Sequence, residues 1–313
     1  MKEKKMRVLL TEKCNKSCAN CFYREDHGGQ NKDMPLKQAE MLFKRLSELD
    51  YKVLKIMGGE PMIHPDFYYL LGLANSLFNR VTVFTNGTAE NFKPEKFSRK
   101  NAVIINFKFY KSIMYERFAE LSRIAKGLIF AIIIDNDTDT SDICGKINEI
   151  YHILSIINPD SDVIFQVSLD CMADPLKNRE ELNRKWLSVA KYIHEISPQI
   201  LSFDHVPPEC FWNEDSLRFL EDVIGTDYHR SGCGLHDSGL IDASLNLRFC
   251  NVYPEPLGSL WDGEKLINME LIPELLQEGF KKKQELLKAL PLCSTCTSQT
   301  CNGGCFPFTF NKN

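Results

Sequence analysis

The sequence predicts an α/β protein whose first two-thirds form a parallel sheet curved into a partial, TIM-like (β/α)6 barrel. Short apolar strands alternate with amphipathic helices from residue 7 to residue 196, and such alternation is typical of sheets built from βαβ units. The remainder of the chain is richer in Cys, Pro and Gly, and it has one clear helix, at 272–290. We therefore expect a core domain over 1–205 and a cysteine-rich domain over 206–313.

Each strand is predicted from a short apolar run and each helix from apolar residues at helical spacing. The predicted strands are 7–10, 53–57, 81–85, 103–107, 128–134 and 163–169. The predicted helices of the core are 35–49, 66–78, 114–125, 141–156 and 180–196. Pro35 and Pro65 stand where the first two helices begin, a place that tolerates proline. Because parallel sheets present their sites at the carboxyl ends of the strands, we expect the chemistry in the loops that follow them.

The composition of the chain argues against nucleic-acid-binding, membrane-spanning and secreted proteins. The chain has 313 residues, 43% of them hydrophobic, and a formal net charge of −4. This charge does not favour a nucleic-acid partner, and no apolar run approaches the roughly 18 residues of a membrane span. A secretory signal is also absent from the sequence, so we expect a cytoplasmic protein without a membrane partner.

The 12 cysteines are clustered rather than scattered. In a large chain without a signal peptide, such clusters indicate metal binding rather than disulfides. Cys14-x3-Cys18-x2-Cys21 directly follows the first strand, and no fourth ligand stands nearby at suitable spacing. Structural zinc sites are closed and four-coordinate, whereas a four-iron cluster with three cysteines keeps one iron open. Zinc remains the alternative for this motif.

The triad, placed after the first strand of a β/α chain, resembles the signature of the radical S-adenosylmethionine (SAM) superfamily. The resemblance implies that the open iron of a catalytic [4Fe-4S] cluster chelates SAM, and that an electron from the cluster cleaves SAM to a 5′-deoxyadenosyl radical. It also implies an electron donor such as flavodoxin or ferredoxin. The position before the third cysteine is usually aromatic in this family and is Asn20 here; Phe22 and Tyr23 are then the candidates for covering the adenine.

Two further motifs follow the second and third strands. Gly58-Gly59-Glu60-Pro61 resembles the GGE motif of the superfamily, whose backbone and acid hold the ammonium group of SAM. Glycines at such a place also let a backbone approach a ligand closely. Thr85-Asn86-Gly87 resembles the TNG element of the superfamily. We therefore include Thr85 and Asn86 among the candidate cofactor-binding residues.

Lys108 follows the fourth predicted strand among aromatic residues. Its side chain either extends to solvent or pairs with the carboxylate of SAM, as a similar lysine does in glycyl-radical activating enzymes. The Ser-x-Asp-Gly element that many peptide-modifying members carry on this strand is absent from the sequence.

The C-terminal cysteines resemble a SPASM domain, which holds auxiliary [4Fe-4S] clusters. The motif reads Cys233-x16-Cys250, then Cys293-x2-Cys296-x4-Cys301-x3-Cys305. By analogy, one cluster would use Cys233, Cys250 and Cys305 with Cys210 as a fourth ligand, and a second would use Cys293, Cys296 and Cys301. The match departs from the family in the x4 interval between Cys296 and Cys301 and in a missing seventh cysteine. The segment could therefore hold one auxiliary cluster or two, and a zinc ribbon is the alternative.

Cys210 has two other interpretations. It either donates a hydrogen atom to a substrate radical, as in peptide epimerases of the superfamily, or is a small buried residue. Cys144 and Cys171 are expected to be structural. Among the scattered histidines, His205 beside Asp204 is the one that we would test as a base.

Three functions compete. The first is modification of a ribosomally synthesised peptide (a crosslink, an epimerisation or an oxidation), which the SPASM-like segment favours. The chain starts 13 residues before Cys14, so a separate leader-peptide-binding protein is the expected partner in that case. The second is a dehydrogenase or epimerase of a sugar or an aminocyclitol. The third is a non-enzymatic metal-binding scaffold, against which the GGE motif argues.

Overall fold

The computed structural model of the chain describes residues 3–18, 21, 31–111, 114–159, 162–170, 178–204, 207, 209–225, 239–250 and 255–289. Residues 286–289 are described by their backbone only. Its strands are β1 (Lys5–Thr11), β2 (Val53–Gly58), β3 (Arg80–Thr85), β4 (Asn101–Asn106), β5 (Gly127–Ile134), β6 (Asp162–Leu169), β7 (Leu201–Phe203), β8 (Leu240–Ile241), β9 (Asn246–Arg248) and β10 (Gly258–Ser259). They form one sheet in the order β10-β9-β8-β1-β2-β3-β4-β5-β6-β7. The sheet is not closed, because β7 and β10 are its two edges.

All six predicted strands are confirmed, as β1 to β6, with ends that differ by one or two residues. The fourth strand ends one residue before its prediction, because Phe107 begins a 3-10 turn, Phe107–Phe109. Neighbouring strands from β1 to β7 are all parallel. The predicted α/β class and parallel sheet are therefore confirmed.

The helices are α1 (Leu36–Glu48), α2 (Phe67–Leu77), α3 (Tyr115–Ile124), α4 (Thr140–Ile157), α5 (Arg179–Ile196), α6 (Glu214–Ile224) and α7 (Ile272–Ala289). The expectation of a single helix after residue 205 is wrong, because α6 lies there. Asn213 caps α6 by accepting a hydrogen bond from the Ser216 N–H at 2.9 Å. Gly225, with φ of 78°, ends it. An Asn three residues before Ser216 and a following Gly are the sequence signals for these ends.

The two faces of the sheet differ in chemistry. Because the strand order follows the sequence and such crossovers are right-handed, the helices between the strands cover the same face. Val8, Ile56, Val83 and Val103 form one cross-strand row on that face, and all four are fully buried. The opposite face is the inner face of the partial barrel, and it carries polar side chains such as Thr82.

The C-terminal segment is joined to the barrel through the same sheet. β8 pairs in parallel with β1, with Val8 opposite Ile241, and β9 and β10 continue antiparallel. Trp186 of α5 contacts Trp212, with ring centroids 4.5 Å apart. This contact holds the segment before α6 against α5. The boundary at 205/206 stays a prediction, and it falls between strands of one continuous sheet. In the described part of the chain, no helix is long and apolar enough to cross a membrane.

Candidate functional site

Three loops meet at the carboxyl ends of β1, β2 and β3. The backbone N–H of Gly59 donates to the carbonyl oxygen of Thr11 at 2.8 Å, and that of Glu60 donates to Lys13 at 2.9 Å. These bonds fasten the loop after β2 to the segment that leads into Cys14. The GGE motif therefore lies directly against the cysteine loop.

The two glycines are required by this close approach. A Cβ atom on Gly59 would lie 2.7 Å from the Glu12 carbonyl oxygen and closer still to that of Lys13. A Cβ atom on Gly58 would lie 3.0 Å from the Thr11 carbonyl oxygen. Real Cβ atoms essentially never come within 3.0 Å of a backbone oxygen, so a side chain at Gly59 would push the cysteine loop away.

Glu60 is fully buried and its carboxylate joins two loops. Oε1 accepts from the Met62 N–H at 3.2 Å and from the Thr85 hydroxyl at 2.9 Å, and Oε2 accepts from the Asn86 N–H at 2.7 Å. Burial raises the pKa of Glu60 to about 7, against the opposing effect of these hydrogen bonds. The carboxylate thus holds the TNG loop to the GGE loop, and its contact with the ammonium group of SAM stays a prediction.

Asn86 carries this network to the cysteine loop. Its Nδ2 donates to Asn15 Oδ1 at 2.8 Å and lies 3.8 Å from Cys14 Sγ. Asn15 in turn donates to the Thr88 carbonyl oxygen at 3.2 Å. Sequence reasoning named Asn86 but missed Asn15, for which the sequence offers no signal apart from its place in the cysteine motif.

Asp33 is a second missed residue. It accepts hydrogen bonds from the Thr11 hydroxyl at 2.6 Å and from Lys13 Nζ at 2.6 Å, at the point where β1 becomes the cysteine loop. Burial would raise the pKa of Asp33, but the hydrogen bonds from Lys13 and Thr11 hold it below its ordinary value. Asp33 lies more than ten residues from any motif, so only the fold connects it to the site.

The three thiols of the triad affect one another electrostatically. Burial raises the pKa of Cys14, and the charges of Glu60, Cys18 and Cys21 raise it further, while a backbone hydrogen bond at Lys16 lowers it. Burial and Cys21 raise the pKa of Cys18, whereas Lys108 and Lys16 lower it. The charges of Lys108 and Lys16 therefore favour the deprotonated form of Cys18.

This donor set fits an iron–sulfur cluster. Three soft thiolates from one loop suit such a cluster, and each thiolate would bind a separate iron. Among the described side chains, no three of His, Cys, Asp or Glu come close enough together to hold a single metal ion. The fit of the triad therefore rests on its donor set and on its place at the carboxyl ends of the strands.

Lys108 lies beside this site on the 3-10 turn after β4. Its Nζ pairs with Asp135 Oδ2 at 3.2 Å, and 62% of its side chain is exposed. Lys16 Nζ lies 5.6 Å from the centre of the neighbouring Phe109 ring. The pairing of Lys108 with the carboxylate of SAM stays a prediction, and in the structure Asp135 is its partner.

The other candidate residues lie apart from the triad or outside the described residues. Cys250 is buried after β9, Cys210 is exposed in the 3-10 turn Glu209–Phe211, and Cys144 is half-buried on α4. The remaining candidates lie outside the described residues: Phe22, Tyr23, Cys171, His205, Cys233, Cys293, Cys296, Cys301 and Cys305.

Comparisons with known sequences identify the core. Residues 8–106 match the model of the radical SAM superfamily. A probable GTP 3′,8-cyclase of Methanocaldococcus jannaschii is 28% identical over 136 residues, which are 41% of this chain and 45% of that protein. A second similar protein, the S-adenosylmethionine-dependent nucleotide dehydratase of Selenomonas ruminantium, is 29% identical over 85 residues, 27% of this chain and 30% of that protein. The chain thus spans about half the length, or less, of the curated relatives that it matches.

Comparisons with solved structures extend over nearly the whole chain. Streptococcus suis SuiB bound to S-adenosylmethionine gives a TM-score of 0.62 at 14% identity, covering 97% of this chain and 73% of SuiB. Native anSMEcpe with bound AdoMet gives 0.63 at 16% identity, covering 98% of this chain and 91% of that one. These likenesses show the fold.

The superfamily match begins in β1 and ends with β4, so it contains the cysteine triad, the GGE motif and the TNG element. The same three motifs are brought together by the hydrogen bonds described above. Residues 8–106 therefore form a radical SAM domain, as found in radical SAM enzymes.

Proposed function

We propose that this protein cleaves SAM reductively and uses the resulting radical to remove a hydrogen atom from a peptide substrate. The observation that carries the proposal is the junction of the triad loop with the Gly58-Gly59-Glu60 and Thr85-Asn86 loops. That junction supports a cluster site and a SAM site that share one wall.

The residues would divide the work as follows. Cys14, Cys18 and Cys21 would hold the cluster. With one electron from a donor such as flavodoxin or ferredoxin, the bound cluster and SAM would supply methionine and a 5′-deoxyadenosyl radical that takes a hydrogen atom from the substrate. The pocket for SAM would be formed by the loop residues Phe22, Tyr23, Gly58, Gly59, Glu60, Pro61, Thr85, Asn86 and Lys108.

The chain itself supplies positioning. Glu60 receives hydrogen bonds from two loops and has no exposed surface, so it keeps the walls of the site in fixed register. Lys108 carries the positive charge that would face the carboxylate of SAM, and Asp135 orients it at 3.2 Å. Such fixed placement is what a protein contributes when a cofactor supplies the reactive species.

A peptide substrate is supported by two structural neighbours. SuiB bound to its precursor peptide SuiA covers 97% of this chain with a TM-score of 0.61. Native anSMEcpe with bound AdoMet and a Kp18Cys peptide covers 96% with a TM-score of 0.60. Both likenesses include the region after β7, where the auxiliary domain is predicted. A separate leader-peptide-binding protein is the partner that we propose for substrate delivery.

The auxiliary clusters belong to the same proposal. Cys233, Cys250 and Cys305 would hold one, with Cys210 as a fourth ligand, and Cys293, Cys296 and Cys301 a second. Such thiol clusters need a reducing compartment, which supports a cytoplasmic location.

A nucleotide is the second candidate substrate. The GTP 3′,8-cyclases and the nucleotide dehydratase are more similar in sequence than the structural neighbours are, at 28% and 29% identity. Their likeness covers 49% or less of this chain, so it concerns the SAM-binding core more than the region that would choose the substrate.

The first experiment measures iron and sulfide after anaerobic reconstitution. We expect about 12 irons per chain for one catalytic and two auxiliary clusters, or about eight for one auxiliary cluster, falling by about four in the variant with Cys14→Ala, Cys18→Ala and Cys21→Ala. Cys144→Ala is the matched control, because Cys144 lies on α4 away from the triad loop, and it should lose none. Stoichiometric zinc without iron would contradict the proposal.

A second experiment separates the substrates. The reduced enzyme is incubated with SAM and either a precursor peptide encoded beside its gene or GTP, and 5′-deoxyadenosine and mass-shifted products are measured. A modified peptide supports the first candidate, and a modified nucleotide replaces it with the second.

A further inference from the structure

Lys283 of α7 is a buried cation. Only 1% of Lys283 is exposed, whereas its neighbours Lys281 and Lys282 are exposed. A lysine near a surface usually packs its stem on the protein and keeps its ammonium group in water. The burial of Lys283 includes the ammonium group, which therefore needs negative charge or hydrogen-bond acceptors around it. Lys283 does interact with other groups, and the nature of those groups can be narrowed from its place in the fold.

The position of Lys283 belongs to the buried face of α7. Ile272, Gly279 and Lys283 are buried, and Leu276 is half-buried between them. Spacings of four, three and four residues place these side chains on one face of a helix. Such a face is normally apolar, so Lys283 puts a charge where the pattern of the helix calls for an apolar side chain.

This face of α7 packs on the hairpin of β8 and β9. A Cβ atom on Gly239, which precedes β8, would lie 2.8 Å from Leu276 Cδ2 and 3.1 Å from Leu247 Cδ1. A Cβ atom on Gly279 would lie 3.1 Å from Phe249 Cβ. The contacts of α7 thus move from the level of Leu247 to that of Phe249 as the helix advances by one turn.

Cys250 is the next residue along this path. It follows Phe249 directly and is buried. Lys283 lies one helical turn beyond Gly279, a rise of about 6 Å in the same direction. A buried thiol and a buried ammonium group therefore share one end of the interface between α7 and the hairpin.

The carboxylates of the described hairpin and helix are placed elsewhere. Asp242 is buried, but it accepts hydrogen bonds from Arg248 at 2.8 Å and from the backbone N–H groups of Ser244 and Asn246. Residues 290–313, which continue the chain after α7, contain four cysteines and no Asp or Glu. Thiols are therefore the side-chain acids that the sequence supplies after the helix. The acids of α7 itself are exposed: Glu274, Glu278 and Glu285.

We propose that the charge of Lys283 compensates the negative charge of an auxiliary iron–sulfur cluster that Cys250 helps to hold. Under the proposed function, on which this inference rests, Cys233, Cys305 and Cys210 are the other ligands. A buried thiol and a buried cation fit such a cluster, because its thiolates give it a net negative charge that grows on reduction. Lys283 thus stabilises the reduced form and raises the reduction potential.

The experiment measures the reduction potential of the auxiliary clusters alone. The full-length variant with Cys14→Ala, Cys18→Ala and Cys21→Ala is reconstituted anaerobically, and a redox titration is followed by electron paramagnetic resonance. In this background Lys283→Met should lower the equilibrium constant for reduction of one auxiliary cluster about tenfold, a shift of about −59 mV. Lys283→Arg keeps the charge and should keep the potential. Lys281→Met, on the exposed side of α7, is the matched control and should keep it as well.

A second measurement keeps Lys283 in place. Lysine is labelled with 15N at Nζ, and pulsed electron paramagnetic resonance of the reduced auxiliary clusters records coupling to nearby 15N nuclei. We expect a coupling that is lost in Lys283→Arg, because the arginine is unlabelled, and that is kept in Lys281→Arg. This measurement decides the case in which Lys283→Met fails to fold.

Four results would overturn the inference: an unchanged potential in Lys283→Met, an equal shift in Lys281→Met, no lysine coupling, or a triple variant that binds zinc or no iron. A carboxylate partner such as Asp237, which lies outside the described residues, would produce the first and third of these results. Formation of 5′-deoxyadenosine by the wild type is measured separately. Its absence together with a shifted potential would defeat the proposed function and leave the role of Lys283, whereas its presence without a shift would do the reverse.

Discussion

Asn86 places an amide donor against the first cysteine of the triad. The distance from Nδ2 to Cys14 Sγ is 3.8 Å, within the range of hydrogen bonds to sulfur. Donors to cluster thiolates raise the reduction potential, because they stabilise the added negative charge. We therefore expect Asn86 to tune a cluster held by the triad, in addition to its predicted contact with SAM.

The Asn86→Ala variant should lower the reduction potential of the catalytic cluster. A hydrogen bond of about 1 kcal/mol corresponds to about 40 mV for a one-electron couple. The measurement is a redox titration followed by electron paramagnetic resonance. Asn75→Ala is the control, since Asn75 bonds to Asn101 far from the triad; a shift of equal size there would refute the assignment.

Glu60 should make folding stability depend on pH. Its pKa in the folded protein is raised to about 7, above the unfolded value of about 4.5. Because the folded state then holds the proton more tightly, the contribution is fully present below pH 4.5 and is lost as the pH rises through 7. The size is about 3 kcal/mol.

The check on Glu60 is a pair of urea titrations between pH 5 and pH 8 on cluster-free, reduced protein. The free energy of unfolding of the wild type, relative to Glu60→Gln, should decrease as the pH rises over this range. A difference independent of pH would show that Glu60 does not titrate there.

At the scale of elements, Gly59 in the loop after β2 and Gly72 in α2 differ in their tolerance of a side chain. A Cβ atom added to Gly59 would have backbone oxygens within 2.7 Å, whereas one added to Gly72, inside α2, would have no atom within 4 Å. Gly59→Ala should therefore displace the cysteine loop and lower iron content by about four per chain. Gly72→Ala should keep the iron and stabilise α2 by about 0.5–1 kcal/mol.

Iron analysis and thermal melting of both variants test this contrast. Full iron content in Gly59→Ala would mean that the contact with Lys13 is not needed to form the site. Loss of iron in Gly72→Ala would mean that any change near α2 disturbs the cluster.

The elements of the barrel were predictable because each has strong periodicity. The predicted ends of α1 and α5 differ from the observed ones by one residue or less, and Pro35 occupies the N-cap position of α1. β7, β8 and β9 have only two or three residues, too few for a hydrophobic pattern. Their existence depends on the neighbouring strands, which is tertiary information. α6 was missed although Asn213 and Gly225 mark its ends.

The sequence motifs of the site were predictable, whereas the residues that hold the motif loops in place were not. Cysteine spacing and the Gly-Gly-Glu sequence identify the loops, whereas Asp33 and Asn15 enter through contacts across the fold.

At the scale of the whole molecule, the C-terminal strands complete the surroundings of β1. Ile241 of β8 is fully buried beside Val8. Ile241→Ala should lower the free energy of unfolding by about 2–4 kcal/mol and also lower iron content, although Ile241 is remote from the triad in sequence. Ile224→Ala, on an exposed part of α6, is the control, and equal iron content in the two variants would show that β8 does not support the cysteine loop.

The place of β1 between β2 and β8 has a consequence for the order of events during synthesis. β1 leaves the ribosome well before β8, because Ile241 follows its partner Val8 by 233 residues. At the usual pace of translation this delay is on the order of ten seconds or more. During that time β1 can pair with β2 but lacks β8 on its other side, so we expect the sheet around the cysteine loop to be completed late. A nascent chain stalled before residue 240 should therefore acquire no stable catalytic cluster.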